Sequence, residues 1–400
     1  MATTSSVSKT VSNRIALTGV SLSALLIAVH ATNDAFSSML AALLPTFQLR
    51  FSLSEGTLAL LVATLSFSSS VLQPFFGSLA DRFGRRLVGA LGIITSSSLL
   101  SLMGVVPDVA LLFLLLFFGG LGSAAFHPSG TSMARAAGGK NKALTVSLFS
   151  AGGTLGLALG PSIILLVART VGLQFSPLLM IPGVLLGIAM YFLIPVQPKA
   201  DRTVNPRLFD IALFRGPVGV LCVSGILRSV SYVTFTNAVP LYLVSQGLAR
   251  DSSLISMTLL AFSLAAGTGG ILAGILGRRV SSQILITGTM LLALPLFLAI
   301  FWVPAGSVLY FVFVVLAGVL VNAGLPLMVV AAQDLAPHAV GTASGMMMGF
   351  TWGCAGVLYI GNGWVQQYVG LSAAMQLSFL SLLPGAVLAF WVLKKNRQSV

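Results

Sequence analysis

Runs of roughly twenty apolar residues recur from one end of this chain to the other, and they leave few folds open to it. An α-helix of about twenty residues crosses the roughly 30 Å of hydrocarbon in a bilayer. Hydrophobic residues make up 56% of the 400 residues and charged residues only 7%, whereas soluble domains carry about 25% charged residues. The chain is therefore predicted to be an all-α, multi-pass membrane protein.

Twelve such runs can be delimited, and the longest polar connection divides them six and six. The predicted spans are 15–46, 55–79, 87–106, 109–134, 143–168, 174–195, 214–245, 253–276, 281–303, 307–332, 340–362 and 371–393. The predicted domains are a cytoplasmic tail (1–14), an N-terminal six-helix bundle (15–195), a cytoplasmic linker (196–213), a C-terminal six-helix bundle (214–393) and a second tail (394–400). The first and seventh spans are long, so tilting or an extension beyond the lipid is expected.

The distribution of basic residues predicts the orientation, because loops rich in Lys and Arg stay in the cytoplasm. With the N-terminus inside, all but four of the 21 Lys and Arg residues fall on the inner side. The exceptions are Arg50, Arg169 and Arg250 outside, and Arg228 within the seventh span. Both termini are therefore predicted to be cytoplasmic. The net charge of +13 is explained by basic loops facing anionic lipid head groups, so no nucleic-acid partner is expected.

The loop between the second and third spans, GSLADRFGRR at 77–86, carries a recognisable pattern. Its glycines permit a tight turn, its aspartate can cap a helix or bind an arginine, and its arginines hold the loop inside. The candidate cytoplasmic gate residues here are Gly77, Asp81, Arg82, Gly84, Arg85 and Arg86. A copy without the aspartate, GILGRR at 274–279, lies at the matching place in the second half, which indicates an internal duplication. The pattern resembles the signature loop of the major facilitator superfamily.

The fifth span contains a stripe of small residues, Gly152, Gly156 and Gly160, followed by Pro161. Glycine at every fourth position lets two helix backbones touch, and proline bends the helix. The stripe resembles a motif of proton-driven antiporters in the superfamily. Plain helix packing explains it equally well, so both interpretations stay open.

A closer resemblance rests on HATND at 30–34, LLP at 43–45, AFHPSG at 125–130 and AQDLAPHAVGTASG at 332–345. These segments and the glycine stripe are similar to those of the fosmidomycin-resistance family of efflux proteins. The resemblance implies the major facilitator fold, a prokaryotic inner membrane and drug export. Two positions depart from that family: it commonly has an acid where this chain has Ser129, and often an arginine where this chain has Ser132.

An acidic residue lies inside the first span with two polar neighbours. His30, Asn33 and Asp34 share one helix face, because residues three and four apart lie on the same side. A charged residue at the bilayer centre costs roughly 2.5–3.5 kcal/mol or more, so such residues usually serve a function. We expect Asp34 to take up a proton outside and release it inside, with His30 tuning or relaying it. The alternative is a structural carboxylate bound to a neighbouring hydroxyl or amide.

Two further spans contain candidate substrate-binding residues besides Asn33. His127 precedes Pro128 in the fourth span, where a structural and a functional role are both open. Arg228 lies in the seventh span and shares a face with Ser231 and Tyr232. A guanidinium in lipid needs a partner. Either Asp34 across a central cavity or an anionic group of the substrate would suit it.

At the inner end of the tenth span, Gln333 and Asp334 are read as part of the cytoplasmic gate. Cys222 and Cys354 are far apart and form no CxxC motif, so we predict no metal site and no cofactor. Only eight acidic residues exist, and no HExxH, GxSxG or phosphate-binding loop is present, so the chain is not expected to be an enzyme or to use nucleotide.

These observations predict a secondary active transporter of the cell inner membrane. The favoured function is a proton-coupled antiporter that exports small drug-like or anionic molecules by alternating access. The alternative is a proton-coupled symporter that imports a small organic anion, because a fold does not fix the direction of transport. The expected partners are a small-molecule substrate, protons and membrane lipids, and the protein is expected to be a monomer.

Overall fold

The computed structural model describes residues 19–138, 142–195, 211–277, 279–336 and 340–397. Within these residues the chain forms twelve long helices and no strand, which confirms the predicted fold. The first six are α1 (Gly19–Phe51), α2 (Glu55–Ser66, a π-helical turn Phe67–Val71, and Gln73–Phe83), α3 (Arg85–Ser101, ending in Leu102–Val105), α4 (Val109–Ala137), α5 (Lys142–Thr170) and α6 (Leu173–Leu179 and Met180–Leu193).

The second six helices follow a short helix, Ile211–Arg215. They are α7 (Pro217–Ser245), α8 (Ser253–Leu276), α9 (Ser282–Ala299 and Ile300–Trp302), α10 (Val308–Leu335), α11 (Val340–Gly345, a π-helical turn Met346–Phe350, and Thr351–Val369) and α12 (Leu371–Phe379 and Leu382–Arg397). Eleven of the twelve helices are long and apolar enough to cross a membrane. The other, α1, has 33 residues and a length of about 50 Å, but the polar sequence HATND in its middle lowers its mean hydropathy.

Several helices end later than their apolar runs. α1 continues to Phe51 instead of 46, α11 to Val369 instead of 362, and α12 to Arg397 instead of 393. A helix satisfies its own backbone hydrogen bonds, so it can continue into the head-group region after the apolar sequence stops. The predicted seventh span is broken at Gly216, and α7 begins at Pro217 because proline suits the first helical turn. The predicted tail 1–14 and residues 196–210 of the linker lie outside the described residues.

The glycine stripe of α5 lies directly against α1. A Cβ atom added at Gly156 would lie 2.0 Å from the backbone oxygen of Ala31, and one added at Gly160 would lie 2.2 Å from the oxygen of Ala35. No side chain fits between such closely placed backbones. The stripe therefore fixes α5 against the stretch of α1 that contains His30 and Asp34.

The two bundles meet through α1 with α7, α2 with α11 and α5 with α8. We call the face that carries the turn at Gly84 and the end of α8 at Leu276 the basic face, and the opposite one the neutral face. Starting at the neutral face, small residues of α11 contact α2 at Gly363, Gly356 and Gly353. Past Gln73, the last part of α2 packs against α3 and α4 of its own bundle. The contact between α2 and α11 therefore belongs mainly to the neutral half of the molecule.

The outer surface of both bundles is apolar. Large hydrophobic side chains such as Leu91, Leu185, Leu292 and Trp391 are exposed. A soluble protein does not expose apolar surface on this scale, whereas lipid tails accept it. Together with the spans, this surface confirms the predicted multi-pass membrane protein.

Candidate functional site

The carboxylate of Asp34 lies between two imidazole rings in the N-terminal bundle. Its Oδ2 atom is 3.2 Å from Nε2 of His30 on α1, and its Oδ1 atom is 3.2 Å from Nε2 of His127 on α4. The Asp34 side chain is 12% exposed, that of His30 8% and that of His127 26%. We call these three residues the Asp34 cluster. The sequence placed His30 beside Asp34, and the structure adds His127 from another helix.

In both imidazole rings, the nitrogen that faces away from Asp34 is hydrogen-bonded to a backbone carbonyl oxygen. Nδ1 of His30 donates to the oxygen of Phe149 over 2.7 Å, and Nδ1 of His127 donates to the oxygen of Ser123 over 2.8 Å. The ring of Phe149 also stacks on that of His30 with centroids 4.1 Å apart. These contacts fix the orientation of each ring, so that Nε2 of each faces the carboxylate.

Asn33 bridges α1 and α4 beside the cluster. Its side-chain amide donates to Oδ1 of Asp34 over 3.0 Å and to the hydroxyl of Ser123 over 2.9 Å. The residue is fully buried. The geometry thus places Asn33, a candidate for substrate binding, where it supports the carboxylate.

A glycine that the sequence analysis did not single out forms the wall of the cluster on α5. A Cβ atom at Gly153 would lie 2.5 Å from Cε1 of His30 and 2.6 Å from Oδ2 of Asp34. The only sequence signal was that this glycine directly follows Gly152 of the stripe. Its lack of a side chain lets α5 close over the cluster.

The C-terminal bundle contains a buried cation at Arg228 on α7. Its Nη1 atom donates to Oδ1 of Asn322 over 2.8 Å and to the oxygen of Val321 over 3.3 Å. Its Nη2 atom donates to the hydroxyl of Ser229 over 2.8 Å, while Nε has no hydrogen-bond partner. Arg228 is 0% exposed. All of these partners are neutral.

No acidic side chain forms an ion pair with Arg228 among the residues that the structure describes. The pairing with Asp34, one of the two predicted alternatives, is not formed. The guanidinium instead lies 5.5 Å from the ring centroid of Trp352, a distance suited to a cation–π contact. Asn322 was missed by the sequence analysis, although a polar residue in the middle of the tenth span was an available signal.

The two neighbours of Arg228 face the interior of their own bundle. The hydroxyl of Ser231 lies 3.3 Å from that of Ser381 on α12. The ring of Tyr232 packs against those of Trp352 and Phe262, with centroids 4.6 and 5.1 Å away. Both residues are buried, so this face of α7 is a packed surface.

The candidate gate loop contacts its own bundle. A Cβ atom at Gly77 would lie 3.5 Å from Pro128 on α4, and Gly84 adopts a φ of 101° between α2 and α3. Nη1 of Arg86 donates to the oxygen of Ile194 over 3.1 Å, and its guanidinium lies over the ring of Tyr191.

The other gate candidates have different surroundings. Arg82 is exposed and Arg85 begins α3, while the side chain of Asp81 lies outside the described part. At the second gate position, the side-chain amide of Gln333 donates to the hydroxyl of Ser344 over 2.8 Å and joins α10 to α11. Asp334 is exposed.

The Asp34 cluster is also the place where a metal ion could be considered, since one ligand atom from each residue lies within 4.8 Å of the others. However, each imidazole faces a different carboxylate oxygen. This arrangement gives two separate imidazole–carboxylate contacts, one on each oxygen of Asp34.

Two six-helix bundles with charged residues buried in their membrane-spanning helices define a secondary transporter. Residues 26–360 match the family model described as Major Facilitator Superfamily. The chain therefore belongs to the major facilitator superfamily, whose members are transporters and not enzymes.

Relatives of this chain lie in the same family. It is 28% identical over 381 residues to the MFS-type transporter YfnC of Bacillus subtilis (strain 168), which covers 90% of each chain. It is 26% identical over 371 residues to the fosmidomycin resistance protein of Escherichia coli (strain K12), which covers 88% of each. The fold is similar to that of a bacterial homologue of the human lysosomal transporter Spinster, with a TM-score of 0.76, 15% identity, and 93% and 96% of the two chains covered.

Proposed function

We propose that this protein is a proton-coupled antiporter that exports small anionic or drug-like molecules by alternating access. The observation that carries the proposal is the Asp34 cluster, a buried carboxylate between two imidazoles. Ionisable side chains are rare and costly in lipid, and three in contact form a group that can take up and release protons. The resemblance to efflux proteins supports the direction.

The position of the cluster suits coupling to movement of the bundles. It lies at the contact of α1 with α5, and these two helices also contact α7 and α8 of the other bundle. Protons that enter or leave the cluster change how His30 and Asp34 sit against Gly153. Such a change is passed directly to helices that form the boundary between the bundles, which alternating access requires to shift.

Arg228 supports an anionic cargo. A guanidinium presents a planar fork of donors that matches carboxylate and phosphonate groups, and here its neutral partners leave its charge uncompensated. The aromatic ring of Trp352 beside it would suit an apolar part of the same molecule. The name of the 26%-identical relative, a fosmidomycin resistance protein, makes fosmidomycin a reasonable first probe.

The basic face is proposed to be cytoplasmic, since basic loops stay on that side. The bundles would then be in contact over the outer half of the molecule, between α2 and α11. In this arrangement the structure corresponds to a state that opens to the cytoplasm, in which cargo enters and protons leave.

A vesicle experiment tests the coupling. Everted vesicles that contain the protein are loaded with an acidic interior, and fosmidomycin uptake and proton efflux are followed together. We expect Asp34→Asn to abolish proton-driven uptake while the protein still inserts and folds. The matched control is Asp108→Asn, because Asp108 is an exposed acid that caps α4 and asparagine also caps helices.

Two outcomes of this experiment would contradict the proposal, one concerning the role of Asp34 and one concerning antiport. Proton-driven uptake that survives Asp34→Asn would rule out this carboxylate as the coupling group. If fosmidomycin moves in the same direction as the protons, the protein is a symporter, and the exporter proposal is wrong.

A further inference from the structure

The hydrogen-bond partners of the two imidazoles fix where their protons must be. A backbone carbonyl oxygen only accepts hydrogen bonds. Nδ1 of His30 and Nδ1 of His127 each lie against such an oxygen, so each Nδ1 atom carries a hydrogen. A neutral imidazole has one hydrogen on its ring nitrogens. In the neutral form, Nε2 of both rings would therefore present a lone pair.

These two Nε2 atoms face the two oxygens of Asp34 at 3.2 Å each. An ionised carboxylate also offers only lone pairs, so an unprotonated contact would be repulsive at this distance. Each contact becomes favourable once one proton lies between nitrogen and oxygen. Both contacts are attractive at once only when each of them holds a proton.

We propose that the Asp34 cluster binds two exchangeable protons at once, one in each imidazole–carboxylate contact. The proposal rests on the proposed function for the role of those protons in transport. On loading, an N–H bond forms at Nε2 of His30 and another at Nε2 of His127, with both protons taken from water on one side of the membrane. On release, the same two bonds break and both protons leave on the other side.

The protons belong mainly to the imidazoles. The side-chain amide of Asn33 donates to Oδ1 of Asp34 over 3.0 Å, and a donor of this kind favours the ionised carboxylate. With both protons bound, the cluster holds two imidazolium rings and one carboxylate. With both released, it holds one carboxylate and two neutral rings. Its net charge thus changes by two units, which doubles the effect of the membrane potential on a cycle relative to a single proton.

The two histidine side chains differ in their exposure to solvent, and this difference sets the order in which they exchange protons. His127 is 26% exposed at its side chain and His30 only 8%. His127 is therefore the group that exchanges protons with water first, and His30 holds its proton behind the carboxylate.

No other ionisable side chain faces the cluster among the residues that the structure describes. The cluster's own members come from α1 and α4, and α5 contributes the carbonyl and ring of Phe149 and the backbone of Gly153. Arg228 on α7 has its contacts on α7 and α10 instead. The protonation of the cluster is consequently set by its three members acting together, which titrate as one unit.

The chain has only three histidines, so 15N NMR can resolve the ring-nitrogen signals of each one. The protein is labelled with 15N-histidine, placed in nanodiscs and recorded across a pH series. His30→Gln and His127→Gln each remove one signal and assign it, and the third signal belongs to His338, outside the described residues. We expect both cluster histidines to keep the Nδ1 hydrogen at every pH of the series, and both to become doubly protonated within it.

Two variants show whether changes in the histidine signals come from the contacts of the cluster or from a general change in the structure. Ser123→Ala removes a hydroxyl 3.4 Å from Nδ1 of His127 but keeps the carbonyl that holds it, so the Nδ1 hydrogen should persist. Asp34→Asn should change the titration of both cluster histidines and leave the His338 signal in place. The tautomers themselves are read from the unaltered protein, so the test does not depend on a variant that folds poorly.

A neutral form with its hydrogen on Nε2 at either histidine would overturn the proposal. So would a cluster in which only one imidazole becomes doubly protonated while the protein remains folded. If that happens and Asp34→Asn still abolishes proton-driven transport, the proposed function stands with one proton. If the NMR result is as expected but Asp34→Asn transports normally, the two-proton site stands and the proposed coupling fails.

Discussion

The first helices of the two bundles, α1 and α7, each bury one charged side chain, but the groups around the two charges differ in kind. Asp34 on α1 is surrounded by groups that can change their own charge, His30 and His127. Arg228 on α7 is surrounded by an amide, a hydroxyl and a backbone oxygen, which cannot. If the Asp34 cluster exchanges protons as proposed, the N-terminal bundle changes its charge during a cycle, whereas Arg228 keeps a constant positive charge in the C-terminal bundle.

This difference suggests a division of labour within a duplicated architecture. A carboxylate whose neighbours titrate can exchange protons at moderate cost, because the charge is shared and neutralised within the cluster. An arginine with neutral neighbours stays cationic at any physiological pH, so it remains ready for an anion. The following substitutions are designed to remove or to measure this difference between the surroundings of Asp34 and those of Arg228.

The strongest expected effect comes from giving Arg228 a permanent counter-charge. Asn322→Asp places a carboxylate within 2.8 Å of the guanidinium, so that the buried cation is neutralised and no longer attracts an anionic cargo. Charged hydrogen bonds are worth about 1.5–3 kcal/mol, so transport of fosmidomycin should fall about ten- to a hundredfold, measured in proteoliposomes. Asn237→Asp makes the same substitution further along α7, outside the contacts of Arg228, and should have little effect. Unchanged transport by Asn322→Asp would remove Arg228 from the cargo site.

A moderate effect is expected when the charge is kept and its shape altered. Arg228→Lys retains a cation but cannot reach Asn322, Val321 and Ser229 at once, because an ammonium group lacks the planar fork. A loss of about 1 kcal/mol corresponds to roughly a fivefold weaker affinity for an anion, measured by binding of fosmidomycin to purified protein. Arg50→Lys, at the end of α1, serves as the control. Equal affinity in Arg228→Lys and the original protein would indicate that only the charge matters.

The smallest effect concerns packing at the two sites. Gly153→Ala would press a methyl group to 2.5 Å from His30, whereas Gly225→Ala, near Arg228, would meet Thr351 at 3.0 Å and the flexible end of Met328 at 3.5 Å. Overpacking costs about 1–3 kcal/mol, so Gly153→Ala should lower the unfolding temperature by a few degrees. Gly225→Ala should be close to neutral, since alanine also favours a helix by about 1 kcal/mol. Similar melting curves for the two variants would show that α5 does not close tightly over the cluster.

The sequence was sufficient for the fold because each apolar run is an independent signal for a membrane helix, and the linker divides twelve runs evenly. It also placed Asp34 and His30 together, since residues four apart on a helix meet by geometry alone. It could not place His127 against Asp34 or Asn322 against Arg228, because those pairs join different helices and depend on how the helices pack. The roles of Asp34, Arg228 and the gate residues stay predictions.

The last part of α2 has a different neighbouring helix from the part before Gln73. In a regular helix, Ser66, Gln73 and Gly77 would share one side, because the spacings of seven and eleven residues return to the same face. In the structure Ser66 and Gln73 face α11, but Gly77 faces Pro128 on α4. Gln73 and Gly77 both lie after the π-helical turn, in the regular segment Gln73–Phe83, so the change of neighbour from α11 to α4 occurs within that segment. A helical wheel drawn through the whole of α2 would therefore assign the signature loop to the wrong neighbour.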